Sequence, residues 1–448
     1  MRTLKHIIAC ALTIAAFSSF GQNLSLDSCL HLALKNNAKV RNAELDVEAA
    51  KEVKRQSFTK YFPQVSAIGI GYHAVSPLLE YGINDIDNAG LRNLLNLIYT
   101  EYGQALGFPR SISLLDNGAA IGHLAVQPLF MGGQIVNGNR LAKVGVEAAE
   151  LQSQLAGQEA LLQTEESYWL VISLQEKEKT INQAQELLDT LYKDVTAANS
   201  AGLLLKNDVL KVTLKRNELL SNRLKVENGL VLAKSALCQS IGLQYDTTLT
   251  LTDTLGEIYP PSSIYSETDA AVAKRDETKL LELNLKAEKL KKKMSIGATL
   301  PQFIIGYGGS YGNLLTDKWS YKGLAFATMK IPLTAWWEAS HKLKEHDIRI
   351  EQAQNTYNDL TEKMSLQTHQ AWNELTEAYT QIDIADETVA AAAENLKIAA
   401  DNFHAGLVPL SELLEAETLH RQAVDQSCDA KIAYKIKMAR YRILVSAE

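Results

Sequence analysis

Ala405-Gly406-Leu407-Val408-Pro409 holds the only glycine and the only proline between Leu333 and Glu448. Glycine and proline are the strongest interrupters of helices, so a chain that uses each once in such a span predicts two long helices joined at that point. The approach to it agrees. Ile382, Ala385, Val389, Ala392, Leu396, Ala399 and Phe403 alternate steps of three and four residues, the spacing of a coiled-coil seam. The stretch reads as a helical hairpin with its tip at Gly406.

The same unit occurs earlier. Ala201-Gly202-Leu203-Leu204 matches Ala405-Gly406-Leu407-Val408, and Gln127-Pro128-Leu129 matches Ile331-Pro332-Leu333, both at an offset of 204 residues. From Leu129 to Tyr259 there is no proline, and a first seam runs through Ile181, Ala184, Leu188, Leu191, Val195 and Ala198. Long helices are therefore expected over 134–200 and 334–404, the first about 100 Å long at the helical rise, with tips near 202 and 406. The returning arms, Lys206 to Ile241 and Leu410 to Ala447, are about half as long. Amphipathic segments upstream, Leu26 to Lys60 and Glu267 to Ala298, supply the missing half, so that two short helices laid end to end match one long one.

Upstream of each long helix there is room for two strands. They are expected over 64–73 and 119–127 in the first copy and over 302–311 and 319–331 in the second. Ile68, Ile70 and Tyr72 alternate with Gly69 and Gly71; Phe303, Ile305, Tyr307 and Tyr311 alternate with Ile304, Gly306, Gly308 and Ser310. Glycine-rich strands of about ten residues with Trp319 and Tyr321 near one end fit a transmembrane β-barrel ringed by aromatics. Four strands cannot close a barrel, and an open edge cannot face lipid, so several chains must share one. Phe62-Pro63-Gln64 matches Leu300-Pro301-Gln302 at an offset of 238, leaving 34 extra residues in the first copy, roughly Ser76 to Gly107. That insertion, with a helical run at Leu91, Leu94, Leu95 and Ile98, reads as an external loop of unassigned role.

Composition sets bounds. The 448 residues are 46% hydrophobic and 22% charged, ordinary for a folded protein. With 45 basic against 52 acidic residues, the net charge of -7 argues against nucleic acid as a partner. Residues 1–21, with Arg2 and Lys5 before an apolar stretch from Ile7 to Phe17 and small residues at the exit, read as a secretory signal peptide. A lipoprotein cut at Cys10 would leave almost no apolar core ahead of it. Cys29, Cys238 and Cys428, an odd number at wide spacing, read as buried small apolar residues. The organisation is then a signal peptide (1–21), a first repeat (22–246), a linker (247–266) and a second repeat (267–448).

Three further segments sharpen this. Leu24-Ser25-Leu26-Asp27 leads into Ala33-Leu34-Lys35-Asn36-Asn37; Tyr61-Phe62-Pro63-Gln64 precedes the first strand; Phe403-His404-Ala405-Gly406 is followed by Glu412-Leu413-Leu414-Glu415-Ala416-Glu417. In this order and spacing the chain resembles the TolC-like outer-membrane efflux proteins over essentially its whole mature length. The resemblance implies a mainly α fold with a membrane β-barrel portion. In it a homotrimer builds a twelve-stranded barrel in the outer membrane of a Gram-negative bacterium and an α-helical barrel in the periplasm. It implies a passive exit channel of a tripartite efflux pump, docked to a periplasmic adaptor and an inner-membrane transporter. A type I protein secretion duct would use the same architecture. A periplasmic coiled-coil scaffold that is no channel would need the seams but not the strands.

The resemblance also implies site residues. Acidic residues shortly after the second glycine line the family's constriction; the matching positions are Glu412 and Glu415, three apart and thus on one helix face. Three copies would make rings of carboxylates that favour cations. A solvated acidic face accounts for the same letters, since Glu417 and other charges are near. Asp208 matches the first-copy position that can tether a neighbouring hairpin, but Phe403 has no hydroxyl to bind it and Val408 stands where a basic residue can occur. Gly202, Leu203, Gly406 and Leu407 are the expected adaptor-docking tips.

No enzyme, metal site or cofactor is expected. His341 and His346 are five apart, not at the spacing of a zinc-binding helix, and read as solvated. Asp85, Asp87 and Gly90 sketch a calcium loop whose other ligand positions hold Ala89 and Asn96. No nucleophile, base and orienter can be assembled.

Overall fold

The structure, a computed structural model, describes residues 23–445 except 74, 76–78, 104–109, 115–116, 246–248, 257 and 314–318. The expected signal peptide lies outside the described residues. The elements are β1 (Asn23–Leu24), α1 (Leu26–Asn36), α2 (Ala38–Thr59), β2 (Gln64–His73), β3 (Leu79–Gly82), α3 (Ala89–Ile98), β4 (Ser111–Leu114), β5 (Asn117–Met131), α4 (Gln134–Ser200), α5 (Lys206–Ser240), β6 (Thr250–Leu251), α6 (Thr268–Lys274), α7 (Asp276–Ala298), β7 (Gln302–Gly312), β8 (Ser320–Lys330), α8 (Ala335–His404) and α9 (Leu410–Val445). The fold is mainly helical with a sheet portion, and α4 and α8 are unbroken over 67 and 70 residues. Most of their threonines are accommodated because the hydroxyl bonds the carbonyl one turn back, as Thr196 does to Tyr192 and Thr388 to Ile384; the buried Thr164 hydroxyl is an exception.

The chain divides into two compact units. One holds the described residues up to Ala50, Val146–Leu285 and Gln352 onward. It is helical, with its core in three clusters. The first gathers Tyr168, Trp169, Val171 and Ile172 of α4 with Leu237 and Cys238 of α5, Cys29 and Ala33 of α1, and Ile432 of α9. The second fills the space near the tips with Leu188, Leu191 and Val195 of α4, Val212 of α5, Ala399 of α8 and Leu413 of α9. The third stacks Leu375 and Ile382 of α8 on Tyr434 and Tyr441 of α9. The first-copy seam is buried from Ile181 to Val195, whereas in the second copy only Ile382 and Ala399 are buried and the rest is half-covered. Cys29, Cys238 and Cys428 are buried thiols outside any disulfide among the described residues. Burial pushes Cys29 up to about 12 and Cys428 up to about 11, so neither is a thiolate at neutral pH.

Tyrosine hydroxyls fasten the linker between the repeats to this unit. Tyr168 donates to Asp253 (3.0 Å), whose carboxylate also accepts the Leu26 N–H at the start of α1 (2.7 Å). Tyr434 donates to the Tyr259 carbonyl (2.5 Å), and Tyr441 accepts from the Ser266 N–H (3.2 Å). Parallel pairing of β1 with β6 continues the same attachment.

The other unit, Lys51–Gly145 and Lys286–Glu351, contains an antiparallel sheet of order β2-β5-β7-β8. Strand β5 runs past Pro128, where the expected strand ends, to Met131. Proline has no N–H for the ladder, and the register shifts between Pro128 and Phe130, so an irregularity absorbs it. The glycines make room for rings: a β-carbon on Gly118, Gly306 or Gly309 would collide with Tyr72, Phe326 or Tyr321 respectively. His346, expected to be solvated, is half-buried, and its Nε2 lies 2.7 Å from the Ser295 hydroxyl.

Candidate functional site: the hairpin tips and the sheet

Both tips are built the same way. At the end of α4, the Gly202 N–H donates to Asn199 O (3.0 Å) and the Leu203 N–H to Ala198 O (2.9 Å); at the end of α8, Gly406 donates to Phe403 O (3.0 Å) and Leu407 to Asn402 O (2.9 Å). This is the Schellman arrangement, in which a left-handed residue reverses the chain and satisfies the last carbonyls. Gly202 and Gly406 have φ of 78° and 73°, and a β-carbon at either would meet nothing within 4 Å. Glycine is required there by conformation, not by space. The reversal thrusts Leu203 and Leu407 outward, 79% and 74% exposed.

The acidic residues sit where a helix start favours them. Asp208 and Glu412 lie in the first turns of α5 and α9, near the positive ends of those helices. Asp208 pairs with Lys211 (3.2 Å). Lys211 in turn lines a groove of about 450 Å³ with Leu214, Lys215 and Glu218 of α5 and Ser411 and Glu415 of α9. Glu412 and Glu415 are both exposed, but only Glu415 lines this groove. Asp208 and Glu415 thus share a neighbour in Lys211.

Glu417 is not part of a solvated acidic face. It is buried, and with Arg421 and Asp425 it forms a ladder along α9: Arg421 stands 3.7 Å from Glu417 and 3.9 Å from Asp425. Burial raises the Glu417 carboxyl above its ordinary range despite the opposing pull of Arg421 and Lys215; Asp425 is raised for the same reason against Arg421 and Lys177, with Asp429 adding to the rise. The repeat of charge at i, i+4 and i+8 is the sequence signal for this ladder. A carboxyl whose folded value lies above its unfolded one stabilises the fold in acid, and that stability is lost as pH rises through the folded value. Glu417→Gln is therefore expected to raise the melting temperature at neutral pH, with the advantage vanishing below about pH 4, where the unfolded carboxyl is itself protonated. Thermal melts followed by circular dichroism across that range check it.

Neighbouring ion pairs tie the helices together. Asp189 of α4 holds Arg216 of α5 (2.6 Å), whose guanidinium also lies over the Tyr192 ring, 4.6 Å from its centre. Asp386 of α8 holds Lys431 of α9 (2.7 Å) and accepts from Ser427. Burial would raise the Asp386 carboxyl, but these two partners outweigh it and hold it low.

In the sheet, cross-strand register decides which residues share a face. Ile68 pairs with Gly122 and Gly122 with Ser310, so Ile68, Ile70 and Tyr72 lie on the side of Gly306, Gly308 and Ser310. The set Phe303, Ile305, Tyr307 and Tyr311 occupies the opposite side, with Ile121, His123, Ala125, Tyr321 and Met329. That side carries no lysine, arginine, aspartate or glutamate from any of the four strands, whereas the other carries Lys322 and Lys330. Aromatics mark both its ends: Phe130 beside Phe303 (6.4 Å between ring centres) at one, Trp319 on Tyr311 (5.3 Å) at the other. Tyr321 donates to or accepts from Tyr307 across 2.7 Å. No helix among the described residues is long and apolar enough to cross a membrane.

Comparisons with known proteins bear on both features. Residues 278–443 match the family model of the outer membrane efflux protein. No curated protein sequence matches. Among solved structures, the Campylobacter jejuni CmeC outer membrane channel superposes with a TM-score of 0.74 at 15% identity, covering 94% of this chain and 85% of that one. The Vibrio cholerae outer membrane protein VceC gives 0.74 at 14% identity over 94% and 96%. The open state of the Neisseria gonorrhoeae MtrE outer membrane channel gives 0.74 at 14% identity over 94% and 89%. Residues 278–443, most of the second repeat, thus match the outer membrane efflux protein family in sequence, and nearly the whole chain shares the fold of these solved outer-membrane channels.

Proposed function

We propose that three copies of this chain form an exit channel in the outer membrane, through which an inner-membrane transporter, coupled by a periplasmic adaptor, drives its substrates. The observation that carries the reading is the four-stranded sheet with one face free of charged residues and two bare edges, β2 and β8. Bare edges in lipid leave backbone groups unsatisfied, so β8 of one copy must pair with β2 of the next until the ring closes. Three copies, the number the family resemblance implies, give twelve strands. The half-covered second seam on α8 is a face for a neighbouring copy.

The tips carry the remaining roles. Leu203 and Leu407, held out by Gly202 and Gly406, are the apolar contacts offered to the adaptor. Glu412 and Glu415 face solvent in one chain and, repeated around the axis, put like charges close together in the conduit, where they attract cations and repel one another. Asp208, through Lys211, belongs to the same constriction. The neighbouring lysines make the closed state one of paired charges, which a docked partner can open.

The test is conductance of the detergent-extracted protein in planar bilayers, wild type against Glu412→Ala/Glu415→Ala. A small cation-selective conductance is expected for the wild type and loss of that selectivity for the variant. A protein that fractionates as soluble and never conducts would refute the channel and leave the periplasmic scaffold in its place.

A further inference from the structure

The insertion between β2 and β5 contains a helix that is turned inside out. In α3 the polar face is directed inward: the Arg92 guanidinium donates to Ile86 O (3.3 Å) and the Asn96 amide to Asn84 Oδ1 (3.4 Å), while Asn88 caps the helix by accepting the Leu91 N–H (3.1 Å). The apolar residues are directed outward. Leu91, Leu94, Leu97 and Ile98 are 47%, 53%, 63% and 48% exposed, and Leu95 is half-covered beside them. In water a short helix makes the opposite choice, because each exposed leucine forfeits available burial.

We propose that α3 lies along the outer surface of the membrane, its leucine face in the acyl boundary of the lipid, as an interfacial anchor of the channel's external end. Three observations select lipid as the occupant. The insertion leaves the sheet at His73 and returns at Asn117, the end marked by Trp319, Tyr311 and Tyr321, since Tyr72 pairs with Gly118 and Ala120 with Gly312. Aromatic rings of this kind sit at headgroup level. The exposed apolar face, Leu91, Leu94, Leu97 and Ile98, contains no acidic or basic residue. A ten-residue helix is about 15 Å long, too short to cross a bilayer and suited to lying in its plane. Packing against a second copy is the weaker fit, because four side chains make a patch of a few hundred Å², short of the roughly 800 Å² per partner that a specific protein interface needs. The inference rests on the sheet being in the membrane.

The experiment reports from both places. Leu94→Cys, Ile98→Cys and Asn96→Cys on α3, and Ile121→Cys on the uncharged sheet face, are each labelled with a thiol-reactive, environment-sensitive fluorophore. The buried thiols Cys29, Cys238 and Cys428 do not compete in the folded protein. The channel is reconstituted in phosphatidylethanolamine–phosphatidylglycerol vesicles, with or without headgroup-nitroxide lipid, and also exposed to iodide. Expected is a blue-shifted emission at Leu94 and Ile98, quenched about two-fold or more by the nitroxide lipid and little by iodide; Asn96, about 160° round the helix from Leu94, is not quenched by the lipid. Two results overturn the inference alone: Leu94 and Ile98 quenched by iodide and not by lipid, or shielded from both as at a contact between copies, while Ile121 is lipid-quenched. If Ile121 also fails to meet lipid, the membrane placement of the sheet falls with it.

Discussion

Replacing Gly132 with alanine is expected to prevent the sheet unit from reaching its folded form, at a cost of about 4 kcal/mol or more. Gly132 connects β5 to α4 with φ of 61°, and a β-carbon there would fall inside the van der Waals envelope of the Gly297 carbonyl near the end of α7. A β-carbon on Gly297 would strike the Gly132 carbonyl in return. Two backbones touch, so no side chain can swing away, and the left-handed conformation adds its own penalty. The adjacent Gly133 is the control. Its φ is 80°, but the nearest atom to an added β-carbon is the Asn137 amide at 3.6 Å. Gly133→Ala should cost only about 1 kcal/mol for its backbone conformation. Membrane-fraction yield and thermal melts of the two variants, side by side, distinguish close approach from conformation: equal behaviour would refute the argument.

The second large effect is expected at Arg421. Its side chain is 15% exposed between Glu417, at 7%, and Asp425, and its Nε has no hydrogen-bond partner among the described residues. Arg421→Ala removes the positive charge between the buried Glu417 carboxylate and the half-buried Asp425, a loss of about 3 kcal/mol at neutral pH. Because both carboxyls already sit above their ordinary ranges, they take up protons readily once the arginine is gone, so the penalty shrinks as pH falls through those values. Denaturation of Arg421→Ala, alone and with Glu417→Gln added, measures this. The second substitution should restore part of the stability at neutral pH and nothing in acid. A penalty independent of pH would mean that the arginine stem, not its charge, carries the stability.

Much of the fold was legible because helices and turns are local. The scarcity of glycine and proline delimited α4 and α8, and the repeated Ala-Gly-Leu located both tips, since a Schellman reversal needs glycine whatever surrounds it. What alternation could not reveal was the facing of the sheet. Ile68 and Phe303 each begin a clean apolar alternation, yet they occupy opposite sides, because the period within a strand says nothing of its register against a neighbour. The groove at Glu415 escaped for a related reason: Lys211 and Lys215, which complete it, come from the other repeat. Glu417 misled in a different way. Its letter is that of the exposed Glu412 and Glu415, and only the packing of α9 shows that its direction is inward. In the insertion, the leucine run was legible as a helix, but its orientation was not.

The order of the strands has a consequence for how the chain is made. Strand β5 sits between β2, its neighbour in the same repeat, and β7, which belongs to the next; the Ala119 N–H finds Asn313 across 194 residues of sequence. Throughout synthesis and export of α4, α5 and the linker, the β5 edge that will meet β7 stays open, and open edges are templates for wrong pairing. Loss of the second repeat, by a premature stop or a protease, therefore does more than halve the protein. It leaves a first repeat whose strand can never be paired on its second side, a fragment that quality control must hold or destroy.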